Sequence, residues 1–551
     1  MGLLNELVRC EEALVLGKEE NRDRAQLKRE IIKNNIYGVD IEKGAIDIAR
    51  LRFWLSLVVD EDTPSPLPNL DYKIMQGNSL LESYKGVDLS RLTEQTGELD
   101  IFSSSEAVEG IQKSLRKKLS SYYSCTNHTK KQQLQNEIKS LIKSQVSISY
   151  PQLDLSDIDV AGNQDFFLWH TWFSDVFNRP SDCNGQSGFD IVIGNPPYLS
   201  SKAIPEEQKA LYNRAFQTTK KQYDLYSVFI ELALRLSKEN GVHSFIVPDS
   251  LIGRSNFEGT RKILLTGTII MKWLHINDVF EAANVASLIY VCKKRHNEGS
   301  CFVYQKATDV PSWQNGIIRS IVIDSLNALN SESSKILFAE PDKLLVLSHL
   351  RSFPTFEANC TLWRGEELGK GADVIIHSIH KGAAPILSGE DVHRYENPLP
   401  TKWIRQGDIA KDAPYSEKKI LIRQLGDRIN ATIDKYGMVT TQSVYSVLPS
   451  DNKKDNLFFY LGLLNSSLFD FIYRMISGDK QTFKRIILEN IKALPLPNSI
   501  SADMYQQVVL LVKQRLTSAS SNYNSIEKAI DDVVYKLYDL SPDMIRIVQS
   551  Q

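Results

Sequence analysis

One nine-residue run, Asp190–Tyr198, constrains this chain more than any other part of its sequence. It reads Asp-Ile-Val-Ile-Gly-Asn-Pro-Pro-Tyr. The apolar residues predict a buried parallel strand that ends at Gly194, followed by an exposed turn. Two successive prolines fix two φ angles and remove two N–H donors, and they exclude the preceding residue from the helical region. A stiff turn at the carboxyl end of a strand lies where open α/β sheets bind ligands.

The side chains of this turn suit chemistry on an amine. An exocyclic amine on a planar base is a poor nucleophile, because its lone pair is conjugated with the ring. Two acceptors aimed at its N–H bonds, the side-chain oxygen of Asn195 and the carbonyl of Pro196, would favour a tetrahedral, reactive amine. Tyr198 can stack on the face of such a ring. A Pro-Pro turn that merely ends a strand is the alternative interpretation.

The run Asn195, Pro196, Pro197, Tyr198 resembles the catalytic motif of amino-group methyltransferases that use S-adenosylmethionine. The whole chain most resembles the gamma-class adenine-N6 DNA methyltransferases of type II restriction–modification systems, over most of residues 30–500. This resemblance implies an α/β, Rossmann-like methyltransferase sheet followed by an α+β DNA-recognition domain like the TaqI-like C-terminal specificity domain. Double-stranded DNA is the implied partner, and a cognate restriction endonuclease is a further one.

Two strand ends supply candidate cofactor contacts. A strand is predicted at 36–40, and Asp40 at its tip suits ribose hydroxyls or a helix N-cap. Asn78, after a strand in 71–80, suits an adenine edge or an ordinary turn. The resemblance implies cofactor binding at these places, by Asp40 with the adjacent Ile41 and by Asn78 with Ser79. The helix predicted between them, 45–58, should bury apolar residues against the sheet: Ile46, Ile48, Leu51, Leu55 and Leu57.

Phe280 follows a strand predicted at 269–276 and precedes another at 286–292. Enzymes that modify a duplex base extrude it and hold it against aromatic surfaces. The resemblance implies that Phe280 packs on the flipped adenine opposite Tyr198. A core phenylalanine beneath a hairpin is the alternative.

The chain is predicted to contain a methyltransferase domain at 1–330 with an inserted helical hairpin at 105–146, a helical linker at 331–355, a specificity domain at 356–500 and closing helices at 501–551. Within the specificity domain a hairpin is expected around Gly437. Five side chains there are candidates for phosphate or base contacts: Arg423, Gln424, Lys480, Lys484 and Arg485. The alternative interpretation is that each is an ordinary polar or charged residue on the protein surface.

One expected motif is missing. The family's cofactor site begins with a strand that ends in a Gly-rich turn, where only glycine lets the backbone approach the ligand cheaply. Residues 1–35 contain only the isolated Gly2 and Gly17. We therefore expect an N-terminally incomplete methyltransferase that lacks the first strand and the Gly loop. Three explanations remain open: a piece of a longer protein, an upstream polypeptide that supplies the motif, or an inactive remnant acting as a DNA-binding specificity subunit.

Composition adds little to these predictions. A net charge of −2 does not mark a nucleic-acid binder, so DNA affinity must come from a local basic face. The six cysteines form no CxxC pair, which argues for reduced thiols, against a metal site and for the cytoplasm. No apolar run approaches the ~20 residues of a membrane span. A protein or RNA amino methyltransferase is a third possibility, but such enzymes are usually compact, and the residues after 330 argue against it.

Overall fold

The computed structural model describes residues 1–551 except 16–22, 62–65, 90–100, 180–186, 278, 280–285, 369–373, 378–381, 427, 451–454, 478–484, 519 and 551. Contacts divide the chain into two units, Met1–Lys335 and Ile336–Gln551. Within the described residues, no helix combines the length and the hydropathy needed to cross a lipid bilayer.

The strands of the first unit are β1 (Gly38–Asp40), β2 (Ile74–Gln76), β3 (Ser83–Tyr84), β4 (Val87–Asp88), β5 (Phe189–Gly194), β6 (Ser237–Pro248), β7 (Thr268–Ile276), β8 (Ser287–Lys294), β9 (Cys301–Ala307) and β10 (Arg319–Asp324). Its helices are α1 (Gly2–Val15), α2 (Arg24–Asn35), α3 (Lys43–Val58), α4 (Ile101–Tyr123), α5 (His128–Ser149), α6 (Trp169–Trp172), α7 (Ser174–Phe177), α8 (Glu206–Ala215), α9 (Leu225–Leu236), α10 (Ser250–Gly253), α11 (Glu258–Gly267), α12 (Val310–Gln314) and α13 (Ser325–Leu329).

A six-stranded sheet in the order β10-β9-β7-β8-β6-β5 forms the centre of this unit. β5 runs parallel to β6, and β8 runs antiparallel to both of its neighbours, β6 and β7. β1 and β2 form a separate parallel pair. This mixed sheet with flanking helices confirms the predicted α/β class. The range 105–146 falls on α4 and α5, which pack against each other.

β5 is not the buried strand that its sequence predicts. Ile191 is 46% exposed and Ile193 is 62% exposed. Among the described strands β5 pairs with β6 alone and forms an edge of the sheet.

The helix after β1 is also more open than expected. Ile46 and Leu57 on α3 are buried as predicted, but Ile48, Leu51 and Leu55 are each more than half exposed. Beside this helix, a cleft of about 290 Å³ follows β1 and is lined by apolar residues of α1, β1 and α3 together with Asp40. The helical spacing therefore predicted the helix correctly, but only two of the five residues that it assigned to the buried face are buried.

The strands of the second unit are β11 (Cys360–Arg364), β12 (Ile375–Ile376), β13 (Ala383–Leu387), β14 (Lys402–Arg405), β15 (Lys419–Arg423), β16 (Ala431–Asp434), β17 (Val439–Thr440) and β18 (Val444–Pro449). Its helices are α14 (Pro341–Leu350), α15 (Phe356–Asn359), α16 (Asn456–Leu464), α17 (Ser467–Ser477), α18 (Leu488–Lys492), α19 (Ala502–Thr517), α20 (Tyr523–Leu537) and α21 (Pro542–Gln549).

Two four-stranded sheets, β11-β18-β15-β16 and β12-β14-β13-β17, give this unit the predicted α+β character. The first sheet shares a continuous apolar core with helices from α14 to α21. Val346 and Leu350 of α14 are buried in that core, so part of the segment predicted as a linker packs within the second unit. The hairpin expected around Gly437 does not form, because β17 pairs in parallel with β13 rather than with β16.

Candidate functional site

The turn after β5, which we call the proline corner, comprises Asn195, Pro196, Pro197 and Tyr198. It begins where the strand ends at Gly194, and a Cβ on that glycine would lie 3.0 Å from the ring of Phe245 on β6. Pro196 is buried, whereas the other three residues are exposed. The corner therefore stands at the carboxyl end of β5, as predicted, with the Asn195 side chain open to a ligand.

The chain beyond the corner is fixed by backbone pairing. The Leu225 N–H donates to the Leu199 carbonyl at 2.8 Å, and the Ser201 N–H donates to the Tyr223 carbonyl at 2.8 Å. These bonds attach the exit of the corner to the start of α9. The corner is thus held at one end by the β5–β6 ladder and at the other by the start of a helix.

Tyr198 is exposed over 39% of its surface. Its ring meets the ring of Tyr226 edge to face, with centroids 6.5 Å apart, and its hydroxyl is hydrogen-bonded to Ser287. Burial raises the pKa of Tyr198, and the bond to Ser287 opposes that effect. The contact with Tyr226 and the hydrogen bond to Ser287 therefore position the ring.

Three residues near the corner were not singled out from the sequence. Tyr226 bonds the Ser250 hydroxyl, with 3.0 Å between the oxygens. Asp249, just beyond β6, donates its N–H to the Ala286 carbonyl at 2.9 Å, next to Ser287. The polar turn Pro248-Asp249-Ser250 at a strand end was the available sequence signal for this group. Phe280, predicted to face Tyr198, lies outside the described residues.

The candidate cofactor residues gather at the carboxyl ends of β1 and β2. The Gly77 N–H donates to the Asp40 carbonyl at 3.0 Å, which joins the two strand ends. One carboxylate oxygen of Asp40 accepts the Glu42 N–H at 2.8 Å, but the residue is exposed and lines the 290 Å³ cleft. Gln76 donates its side-chain amide to the carbonyl of Ile41 at 3.0 Å.

Asn78 differs from the sequence expectation in its exposure. It is buried, its side-chain oxygen accepts the Leu80 N–H at 3.1 Å, and its side chain is hydrogen-bonded to the hydroxyl of Tyr212. The neighbouring Ser79 accepts the indole N–H of Trp169 on its carbonyl at 2.9 Å. Asn78 and Ser79 thus form the floor of the strand ends, and Asp40 is the more accessible group.

The predicted DNA contacts of the second unit separate into three groups. Arg423 is half-buried and Arg485 is exposed, and they lie near one another because Leu425 bridges to Arg485. Gln424 is a correction: its side chain is buried and donates to the Tyr445 hydroxyl at 2.6 Å, so the structure does not present it to DNA. Lys480 and Lys484 lie outside the described residues.

Comparison with known proteins identifies one family in each of the two units. Residues 34–280 match the Eco57I restriction-modification methylase family, and residues 384–496 match the TaqI-like C-terminal specificity domain. The first range contains the proline corner, Asp40 and Asn78, and the second contains Arg423 and Arg485.

Individual relatives are restriction–modification proteins. The chain is 25% identical to RM.MjaORFECS2P of Methanocaldococcus jannaschii, named as a candidate type II restriction enzyme and methyltransferase, over 98% of this chain and 51% of that protein. It is 29% identical to the type II methyltransferase M.TthHB8I of Thermus thermophilus over 28% of this chain and 36% of that protein. The chain thus spans about half of the first relative's length and about a third of the second's.

A solved structure shares the fold. The type IIL restriction-modification enzyme MmeI, solved in complex with DNA, matches with a TM-score of 0.51 and 11% identity over 99% of this chain and 75% of that one. The chain therefore contains an Eco57I-type restriction-modification methylase domain that includes residues 34–280 and a TaqI-like C-terminal specificity domain that includes residues 384–496.

Proposed function

We propose that this chain acts in a site-specific DNA methyltransferase that transfers a methyl group from S-adenosylmethionine to N6 of an adenine extruded from double-stranded DNA. The observation that carries the proposal is the exposed proline corner at the carboxyl end of β5, within the range that matches the methylase family.

The corner acts on the target amine through its oxygens. The Asn195 side-chain oxygen and the Pro196 carbonyl accept the two N–H bonds of the amine, which withdraws its lone pair from the ring and frees it to attack. Because the prolines fix the backbone before the base arrives, the acceptors are already directed at the nitrogen where positive charge develops. Such preorganised dipoles are commonly the largest single contribution to catalysis. The amine loses its extra proton afterwards, to solvent or a nearby group.

Tyr198 holds the base by its face. Its ring is supported by Tyr226 and its hydroxyl by Ser287, and the exposed part of the ring is proposed to stack on the adenine. Phe280 is proposed as the second face of this clamp. Extrusion between aromatic rings is how enzymes reach a base that is otherwise inside the duplex.

Asp40 fits a ribose-binding role, because one of its carboxylate oxygens is bonded locally while the residue remains exposed beside the cleft. Ile41, Asn78 and Ser79 would form the adjoining wall around the adenine of the cofactor, although Asn78 must first exchange its bond to Tyr212. When bound, S-adenosylmethionine supplies an electrophilic methyl group on a sulfonium.

We further propose that an upstream polypeptide contributes a strand at the open edge of β5 and a Gly-rich turn, and that these complete the pocket. The open edge of β5, the exposed face of α3 and the cleft along β1 support this, because an uncovered strand edge with apolar side chains invites pairing with another strand. Arg423 and Arg485, with Lys480 and Lys484, are proposed as contacts that hold the DNA.

The test is to express the chain together with its upstream neighbour and to measure N6-methyladenine in the host plasmid. Methylation at one sequence motif is expected. Asn195→Ala should lower the rate by roughly 100- to 1,000-fold, as for the loss of one preorganised donor or acceptor. Asn315→Ala, at an exposed position after α12, is the matched control and should leave the rate unchanged. Full methylation by Asn195→Ala would refute the proposal.

A second candidate is a DNA-binding specificity subunit without catalysis, which the open β5 edge also favours. It predicts sequence-specific DNA binding with no binding of S-adenosylmethionine by calorimetry, even in the presence of the upstream polypeptide.

A further inference from the structure

An ion pair without solvent contact lies at the end of β16. Lys419 on β15 and Asp434 on β16 face each other in register, with Nζ 2.7 Å from the Asp434 Oδ2 and no exposure of either side chain. Lys419 also donates to the Tyr415 carbonyl at 2.7 Å. Burial lowers the pKa of Lys419, and the adjacent carboxylate opposes that shift.

The same carboxylate organises the turn that follows. It accepts the N–H groups of Tyr436 at 2.8 Å, Gly437 at 3.1 Å and Met438 at 2.7 Å. Gly437 has a φ of +72°, and a Cβ there would lie 2.5 Å from the Ser416 carbonyl oxygen. We call Asp434–Met438 the ion-pair turn. Its backbone is bonded at three successive positions and packed against Ser416, so it has little freedom.

A buried ion pair is a poor source of stability, because desolvation offsets the attraction. A positional role accounts for it better. What the turn positions is Tyr436, which is 72% exposed, whereas Tyr395, Tyr415 and Tyr445 of the same unit are each at most 7% exposed. A large aromatic side chain held outward on a rigid turn is an arrangement for contact with a partner.

The charge around Tyr436 points to the chemistry of that partner. Lys435 precedes Tyr436 in the turn, and Lys418 directly precedes Lys419, whose register partner is Asp434. Both lysines are exposed, and neither forms an ion pair within the described part of the chain. Glu417 is the one exposed carboxylate among these neighbours in sequence. Exposed lysines close in sequence and register to an exposed aromatic residue match the phosphates and bases of nucleic acid.

We propose that Tyr436 contacts a base of the recognised DNA sequence, while Lys418 and Lys435 bind the flanking phosphates. This inference rests on the proposed function, since it assigns a sequence-reading residue to the specificity domain. Phosphate contacts tolerate a mobile side chain, whereas base contacts require a fixed one, because base edges carry the sequence information. The ion-pair turn supplies that fixed position, and tyrosine adds contact area with few rotatable bonds.

The experiment is selection of bound sequences from a pool of randomised DNA duplexes by the full chain. Wild type should enrich one motif. Tyr436→Ala should lose preference at one or two adjacent base pairs and bind the best wild-type sequence roughly 5- to 100-fold more weakly. Leu399→Ala is the matched control, because Leu399 is 73% exposed in the same unit, and it should select the wild-type motif.

The lysine variants separate positioning from reading. Lys418→Ala and Lys435→Ala should weaken binding to all sequences and each reduce the slope of log K against log salt by about 0.9, with the motif unchanged. Since all the substituted side chains are exposed, the melting temperature should stay within 2 °C or so of wild type, as for surface substitutions.

The outcomes distinguish the two proposals. If wild type enriches no sequence, the proposed site-specific function fails. If wild type enriches a motif and Tyr436→Ala enriches the same motif with equal preference at every position, the assignment of Tyr436 is overturned. A uniform loss of affinity on matched and scrambled duplexes would also overturn it, because the contact would then be to the backbone.

Discussion

The proline corner and the ion-pair turn both present an exposed tyrosine at the end of a strand, but they are stiffened by different means. In the corner the stiffness is covalent, since the rings of Pro196 and Pro197 restrict the chain even when it is unfolded. In the turn it depends on Lys419 and Asp434, which meet only in the folded state. The two turns should therefore respond differently to mutation. A single substitution in the buried ion pair should lower the stability of the fold strongly, whereas a single substitution of a proline in the corner should lower it only slightly.

The largest effect is expected from Lys419→Met. It leaves Asp434 buried without its cation, and breaking a buried pair in this way costs about 3–5 kcal/mol. Urea unfolding of the second unit should show this loss. The comparison is sharpened by Lys402→Met, because Lys402 pairs with a mostly exposed Glu390 and such surface pairs contribute only about 0–1 kcal/mol. Equal losses in the two variants would contradict a special role for the buried pair.

A change in pH should alter the free energy of unfolding of the two units in opposite directions. In the first, His243 bonds the Tyr290 hydroxyl at 2.8 Å, and burial lowers the pKa of His243 to about 3. Its contribution is complete above the ordinary value of 6.5 and is lost as pH falls toward 3. In the second, burial raises the pKa of Asp470 to about 6. Its contribution is complete below the ordinary value of 3.8 and is lost as pH rises through 6.

Acidification from about pH 7 to about pH 5 should therefore destabilise the first unit by roughly 2 kcal/mol and stabilise the second by roughly 1 kcal/mol. Hydrogen exchange of β6 and of α17, corrected for intrinsic rates, measures the two separately. His243→Gln should reduce the pH dependence of the first unit alone, and Asp470→Asn should reduce that of the second unit alone. A change of the same sign in both units would show that other groups dominate.

The smallest effect is expected at the proline corner. Pro196→Ala restores freedom to the unfolded chain and should cost only about 0.4–1 kcal/mol. Urea unfolding of the first unit measures it, with Lys419→Met as the contrast in the second. If Pro196→Ala lowered the free energy of unfolding as much as Lys419→Met, the corner would contribute more to the stability of the fold than its local geometry implies.

The sequence predicts the proline corner well because its physics is local. Two prolines after an apolar run define the strand end, the turn and the exposed amide of Asn195 without reference to distant residues. The bounds of β7 and β8 were likewise predicted to within about two residues, since both are long apolar runs.

The sequence does not predict what depends on distant partners. The Lys419–Asp434 contact joins residues 15 positions apart in a register set by β15 and β16, so the ion-pair turn was missed and Gly437 was assigned to a hairpin. Gln424 was taken for a DNA contact because its packing against Tyr445 is not visible in the pattern. β5 and α3 were predicted to be buried because their residues are apolar, but residue type alone does not show what packs against a side chain in the folded chain.

The exposed apolar side chains of α3 and β5 should also limit the solubility of the isolated polypeptide. Because the net charge is only −2, electrostatic repulsion between molecules is weak. Association is then governed by the exposed apolar side chains. Ammonium sulfate or phosphate buffers, which strengthen apolar association, should precipitate the isolated polypeptide at lower protein concentrations than sodium chloride of equal ionic strength.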